Sequence, residues 1–380
     1  RVILMNGTEF EANWFSHQFS RHCQDNDVRR ELALLRRCEQ QQQKFISALK
    51  PPDETVLEHT IGYEQLAVDL TAALAKRSVD EHVKRALDFA LLEDFDHLYR
   101  YADLLEMDAG VKAEALVGKY TEIMPGRPTI AEHRHPYDSI KPYTNAKTAA
   151  LETKLCVGII TAAEQQTMNY YMNVCGAYPN DRGRKLYQEI GMIEEQHVSQ
   201  YGSLMDTRPT WLECLVMHQY TECFLYYSCH ETESCARIKA LWAQLLEQEL
   251  AHLHAAARLL ERCEGTAWRQ VVGEGDFPAP LKLQSNIDYV RGVLTAGVEQ
   301  TAIRESYGDV NQLEPDTDFY RYQRCVNRDV AAVPSHIVIE DAIRQYGQDY
   351  RFETMPNPIE ALRDRKRDNT SVARGALGRG

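Results

Sequence analysis

The sequence predicts an all-α protein built from long antiparallel helices, and three observations carry that prediction. Strand-like alternation is nearly absent, while apolar residues recur at helical spacing from residue 26 to about 306. Residues that start and stop helices punctuate the chain at intervals of helix length. One helical hairpin is repeated a hundred residues further along.

The punctuation falls at Pro51-Pro52-Asp53, Ser78–Asp80, Pro179-Asn180-Asp181, Asp206–Pro209 and Glu231–Ser234. It cuts out helices over about 25–49, 54–77, 81–106, 146–177, 182–205, 210–230 and 235–263. Asp53 and Asp80 stand where N-caps are expected, and Pro209 where a first-turn proline is welcome. A long connection, 107–145, separates the third helix from the fourth. It contains Pro125, Gly126, Pro128, His133, His135, Pro136 and Pro142, with one short helix expected near 111–123. Beyond 264 the pattern loosens to a helix near 284–306 and short helices at 335–350. The basic run Arg363–Arg367 then leads into a Gly-rich tail, read as a solvated end.

With 43 basic and 56 acidic side chains the net charge is −13, so a phosphate backbone is repelled and nucleic acid is not an expected partner. No apolar run reaches the eighteen or so residues of a membrane span. The longest, Leu155 to Ala163, is interrupted by Gly158 and by threonine. The beginning of the chain lacks the basic-then-apolar pattern of a secretory signal. Ten cysteines are scattered without a C-x-x-C pair, which implies mostly buried, reduced thiols and a cytoplasmic protein. The expected organisation is N-terminal helices in 1–53, a four-helix unit in 54–206, a third hairpin in 207–263 packed on it, and a helical and irregular extension in 264–380.

The repeat carries the chemistry. Gly62-Tyr63-Glu64-Gln65 stands where Ala162-Ala163-Glu164-Gln165 stands in the second copy, and Asp94-Phe95-Asp96-His97 matches Glu194-Glu195-Gln196-His197. Each copy thus reads Glu, an acid thirty residues later, and His three further on. An acid and a His at i and i+3 share a helix face and can grip one ion. Fifteen residues up one helix and fifteen down the next bring Glu64 level with Asp94, and Glu164 level with Glu194. Two such hairpins packed face to face converge four carboxylates and two imidazoles, the ligand set of a dimetal carboxylate centre.

This pattern resembles the ferritin-like diiron superfamily, with the rubrerythrin and bacterioferritin types nearest in motif, over roughly 54–206. The resemblance implies a four-helix bundle whose hairpins are joined by a long crossover, which 107–145 supplies. It implies Glu64, Asp94, His97, Glu164, Glu194 and His197 as ligands of two iron ions, with manganese as the alternative. Asp94 and Glu194 would bridge, and each His would cap one metal. The departure is Asp94, where the family usually has Glu; the neighbouring Glu93 is the substitute within reach of the same ion.

A competing ligand set extends further along the chain, because Glu222 lies on one helix of the third hairpin and Glu249-x-x-His252 on the next. Glu222, Glu249 and His252 could complete a site with Glu164, Glu194 and His197. They could also form half of a second site with Glu299, or only pack. The four-residue turn Asp206–Pro209 disfavours the first grouping, since the resemblance calls for a long crossover between hairpins. His133 and His135 read as solvated loop histidines. Tyr63, Tyr101, Tyr170, Tyr171 and Tyr201 lie near the level of the main site, as a chain of twenty tyrosines makes ordinary.

The expected function is that of a non-haem diiron oxidoreductase acting on O2 or peroxide, with or without a small-molecule substrate. Its electrons would come from a separate donor, because no rubredoxin-like module is present. The alternatives are a non-catalytic helical scaffold or binding protein, and an iron-binding ferroxidase or storage protein. A homodimer is the expected assembly.

Overall fold

The computed structural model describes residues 1–327 apart from 119, 127 and 128, then 332–347 and the positions 357, 359, 360 and 363. The basic run and Gly-rich tail lie outside these residues, Arg363 excepted. In chain order the helices are α1 (Val2–His22), α2 (Asn26–Ser47), α3 (Val56–Arg77), α4 (Glu81–Ala109), α5 (Glu114–Val117), α6 (Thr129–Glu132), α7 (Pro136–Ser139), α8 (Leu151–Ala177) and α9 (Asp181–Ser203). They continue as α10 (Trp211–Thr232), α11 (Ala236–Glu264), α12 (Arg269–Val272), α13 (Ile287–Gly297), α14 (Asp318–Val326) and α15 (Pro334–Tyr346). Two short strands, β1 (Gln300–Ile303) and β2 (Ser306–Asp309), and a 3-10 turn at Val310–Gln312 complete the described elements.

Local chemistry sets the helix ends. Asp80 caps α4 by accepting from the backbone of His82 and Val83, and Asn180 caps α9 by accepting from Gly183. α3 and α10 each begin with a capping box, Thr55 with Glu58 and Thr210 with Glu213, so the expected roles of Asp53 and Pro209 pass to the threonines beside them. α4 stops at Gly110, whose φ of 67° is the left-handed conformation that closes a helix.

Three further expectations need correction. α1 is a full helix before residue 25, where the expected N-terminal helices have bounds only from 25 to 49. The helix expected over 111–123 shrinks to α5. The one expected over 284–306 ends at Gly297 and gives way to an antiparallel hairpin pairing Gln300 with Asp309 through Ile303 with Ser306. Pairs this short leave almost no alternation to detect.

Four hairpins result: α1–α2, α3–α4, α8–α9 and α10–α11. They pack as two double hairpins. In the first, α3 lies against α8 and α4 against α9; in the second, α1 lies against α10 and α2 against α11. The N-terminal helices are therefore the partners of the third hairpin. α1 also joins the two units, packing on α8 and α3. Gly7 permits that approach, since a Cβ there would sit 3.2 Å from the side chain of Gln166. α13 and α15 cover the first unit on the faces of α4 and α9. No helix among the described residues is long and apolar enough to cross a membrane. All ten cysteines are free, but only Cys156, Cys223 and Cys229 are buried, fewer than expected.

α4 is buried on all sides from Phe89 to Glu106, and its buried run includes Glu93, Asp94, Asp96, His97 and Arg100. A helix buried all round is ordinarily apolar; this one carries charge inward because its neighbours answer it. One answer comes from the connection between the hairpins. The backbone N–H of Gly126 donates to Asp96 Oδ1 at 2.8 Å, and Arg100 donates to Oδ2 at 2.6 Å. A Cβ at Gly126 would lie 2.6 Å from both Asp96 Cβ and the Leu92 carbonyl oxygen. Gly126→Ala is expected to destabilise the fold by about 1–3 kcal/mol through overpacking. Gly176→Ala, whose added methyl meets nothing within 4 Å, is the neutral control. Chemical denaturation of both variants measures the contrast.

Candidate metal centre

Six side chains converge inside the first unit: Glu64 from α3, Asp94 and His97 from α4, Glu164 from α8, and Glu194 and His197 from α9. All are at most 1% exposed. They fall into two triads. One donor atom each from Glu64, His97 and Glu194 lies within 4.8 Å of the others, and the same holds for Asp94, Glu164 and His197. Every residue singled out in the repeat is thus brought to one place. The imidazoles stand 6.0 Å apart between centroids.

Glu194 joins the triads. Its Oε1 lies 3.1 Å from His97 Nδ1, and its Oε2 lies 3.2 Å from His197 Nδ1. His197 Nδ1 also faces Asp94 Oδ1 at 3.3 Å and Glu164 Oε2 at 3.8 Å. Both rings therefore turn Nδ1 toward the carboxylates. Their outer nitrogens meet a second layer: Glu93 Oε2 at 2.7 Å from His197 Nε2, and Glu132 Oε2 at 3.4 Å from His97 Nε2.

That second layer comes partly from the long connection. Arg134, 1% exposed, donates from Nη1 to both oxygens of Glu93 at 2.9 Å. The guanidinium lies 5.1 Å from the Phe89 ring centroid, which fixes its plane. Arg134 N–H donates to Gln196 of α9 at 2.9 Å, pinning the connection across the hairpins. Glu93, weighed as a substitute for Asp94, is thereby engaged outside the triads, and Asp94 stands with His197 and Glu164. His133 is buried rather than solvated, with Nε2 3.4 Å from Glu189 Oε1, while His135 is half-buried.

Electrostatics separates the roles. Burial pushes Glu64 and Glu164 far above the usual carboxylate range, with neighbouring carboxylates adding to the rise. Asp94 is raised to about 7, again by burial first. Burial also acts on Glu194, but the close approach of the His197 and His97 imidazoles outweighs it and holds that carboxylate well below its ordinary value. Both imidazoles are driven up despite burial, His97 by Glu132 and Glu194, His197 by Glu164, Glu194 and Glu93. The cluster therefore favours positive charge in its interior. Glu64 Oε2, both oxygens of Asp94 and of Glu164, Glu194 Oε2 and His197 Nδ1 lack a hydrogen-bond partner. Orphaned acceptors around inward-facing imidazoles are what metal coordination requires.

Of the five tyrosines near this level, Tyr171 reaches the cluster, its hydroxyl donating to Glu64 Oε1. Tyr101 and Tyr201 are fully buried with hydroxyls that have no partner. Glu222, Glu249 and His252 do not join this cluster; they lie in the second unit. Glu299 is exposed at the edge of the β hairpin and meets neither group. Glu132 and Arg134 escaped sequence reasoning because loop residues have no periodicity to place them. The alternation of acid and base in Glu132-His133-Arg134 was the available signal.

No protein family, curated protein or solved structure matches this chain.

Arg134→Ala strands Glu93 as a buried charge and is expected to cost about 3–5 kcal/mol of stability. Adding Glu93→Gln to Arg134→Ala should recover much of that loss. A double-mutant cycle by urea denaturation measures the coupling, and additive effects would contradict this reading.

Proposed function

We propose that the first unit is a ferritin-like four-helix bundle holding a dinuclear metal centre, with iron or manganese as its ions, and that the protein is a non-haem oxidoreductase acting on O2 or peroxide. The observation that carries this reading is the shared orientation of the two imidazoles. His197 turns Nδ1 to Glu194, Asp94 and Glu164 and His97 turns Nδ1 to Glu194, while Glu93 stands 2.7 Å from His197 Nε2 and Glu132 3.4 Å from His97 Nε2. Outer carboxylates of this kind fix the tautomer of a ligating histidine and raise its basicity.

The donor chemistry fits. Four carboxylates balance two divalent cations, and oxygen donors with one nitrogen per ion suit iron or manganese better than a thiolate metal. A pair of such ions supplies two-electron chemistry toward an oxygen–oxygen bond. The chain's own residues would do the rest. Glu194 sits between the triads and holds them together. The Tyr171 hydroxyl would donate to Glu64 Oε1 and leave Oε2 to face an ion, and Arg134 with Glu93 would set the orientation of His197. Near-complete burial keeps bulk water away and favours an oxidant as small as O2 or hydrogen peroxide over a bulky one. For peroxide the balance is H2O2 with two electrons and two protons giving two waters, and the electrons come from a separate donor protein or reductant.

Elemental analysis of the full chain, purified without chelators, is expected to show at least two iron or manganese ions per chain. His97→Ala with His197→Ala should remove two of them. Peroxide reduction by a chemical donor should fall at least a hundredfold in Glu164→Ala with His197→Ala. Activity persisting in that variant would remove the enzymatic reading, and no bound metal in the native chain would leave the scaffold reading in its place. Stripping the metal should lower the melting temperature, since an ion that binds only the folded chain stabilises it by mass action.

A further inference from the structure

The second unit repeats the architecture with a different outcome. Glu9 of α1 and Glu39 of α2 are thirty residues apart, the spacing of Glu64 to Asp94 and of Glu164 to Glu194. Gln42 stands three residues after Glu39, in the place that His97 and His197 occupy in the other copies. Glu222 of α10 faces them, with Glu249 and His252 of α11. All four carboxylates are at most 2% exposed.

Only one triad forms here. Donor atoms of Glu39, Glu249 and His252 lie within 4.8 Å of one another, and His252 Nδ1 is 3.1 Å from Glu249 Oε1. At the other position Gln42 stands in place of an imidazole, and one oxygen each of Gln42 and Glu9, Oε1 and Oε2, has no partner. The Gln42 amide donates to Gln248 at 3.0 Å, and the Tyr226 hydroxyl donates to Glu9 Oε1. Gln219 donates to Glu39 Oε1 at 3.0 Å and to Glu222 Oε2 at 2.5 Å, holding these two carboxylates on either side of one amide. Glu39 Oε2 and Glu222 Oε1 remain fully buried with no partner.

We propose that the second unit carries a separate divalent-cation site for a single ion, held by Glu39, Glu249 and His252 with Glu222 as the fourth donor. A site of three carboxylates and one imidazole selects a first-row transition cation such as Mn(II), Fe(II) or Zn(II) over Ca(II) or Mg(II). One ion cannot share a two-electron reduction with a neighbour. Its role is to tie α2 to α11 and to neutralise the interior of the unit. The site does not depend on the first unit being metallated.

The test is a titration of chelator-stripped full-length protein with Mn(II), following the disappearance of the free-ion EPR signal. Three ions per chain are expected in the native protein, two in His252→Ala and two in Glu249→Gln. The second variant keeps the side-chain volume and removes a buried charge, and circular dichroism verifies that both fold. His97→Ala with His197→Ala should retain one ion. A native chain that binds one ion and loses it in His252→Ala upholds this site while the dinuclear reading fails. Equal stoichiometry in the native chain, His252→Ala and Glu249→Gln overturns it.

Discussion

Carboxylates are held out of water at the centres of two helical units, and most of what surrounds them exists to make that tolerable. An isolated carboxylate moved into a protein interior costs several kcal/mol even after relaxation. The first unit gathers four of them, together with Glu93 and Glu132, against two imidazoles and one guanidinium. Such a cluster persists only if cationic charge enters it. That requirement governs the packing: α4 is enclosed on every side, the connection between the hairpins lies over its outer face, and α13 and α15 seal what remains.

Enclosure explains why the connection is long. Two antiparallel hairpins need only a few residues to meet edge to edge, yet the chain spends the stretch from Gly110 to Ala150 between α4 and α8. Along it Gly126 docks on Asp96, Glu132 approaches His97, and Arg134 grips Glu93. Lys141 then donates to the Arg304 carbonyl at 2.7 Å, and Arg304 N–H donates to Asp138 at 2.6 Å, which ties the β hairpin to the same segment. The chain beyond α13 thereby acts on the centre indirectly, by fixing the segment that holds the outer carboxylates.

How much of this could be read beforehand follows from where periodicity exists. Seven long helices were legible to within a few residues, because capping residues and amphipathic spacing act locally. The six converging residues were legible because a duplicated hairpin preserves the spacing of its inward positions, and a step of thirty residues is indifferent to where the turn falls. α1 was not legible. Its apolar and polar residues are mixed around the helix, with Glu9 and Asn13 buried beside Leu4 and Met5, so no clear stripe marks it. Without a stripe to mark α1, the third copy of the thirty-residue spacing, from Glu9 to Glu39, has no visible helix pair to stand on, and the partner of the third hairpin stays unmarked with it. Arg134 and Glu132 were out of reach for a different reason: their positions depend on a loop path that tertiary contacts alone decide.

The two units also show how one arrangement of inward-facing acids can be varied without losing the fold. Both keep an acid at the inward position of each helix, which preserves the cavity they share. They differ at a few positions around it. Gln42 replaces an imidazole with an amide that turns to Gln248, and Gln219 places a neutral donor between Glu39 and Glu222. Tyr226 meets Glu9 as Tyr171 meets Glu64, so the phenol contact survives in both. What the second unit lacks is a buried arginine to fix an outer carboxylate behind its histidine; the Cys38 thiol is what meets His252 instead. Against the effect of burial, the Cys38 thiol and Glu249 together raise His252 to about 10. The two interiors thus keep the same inward carboxylates and differ in what stands behind their histidines: Glu93 and Glu132 in the first unit, the Cys38 thiol in the second.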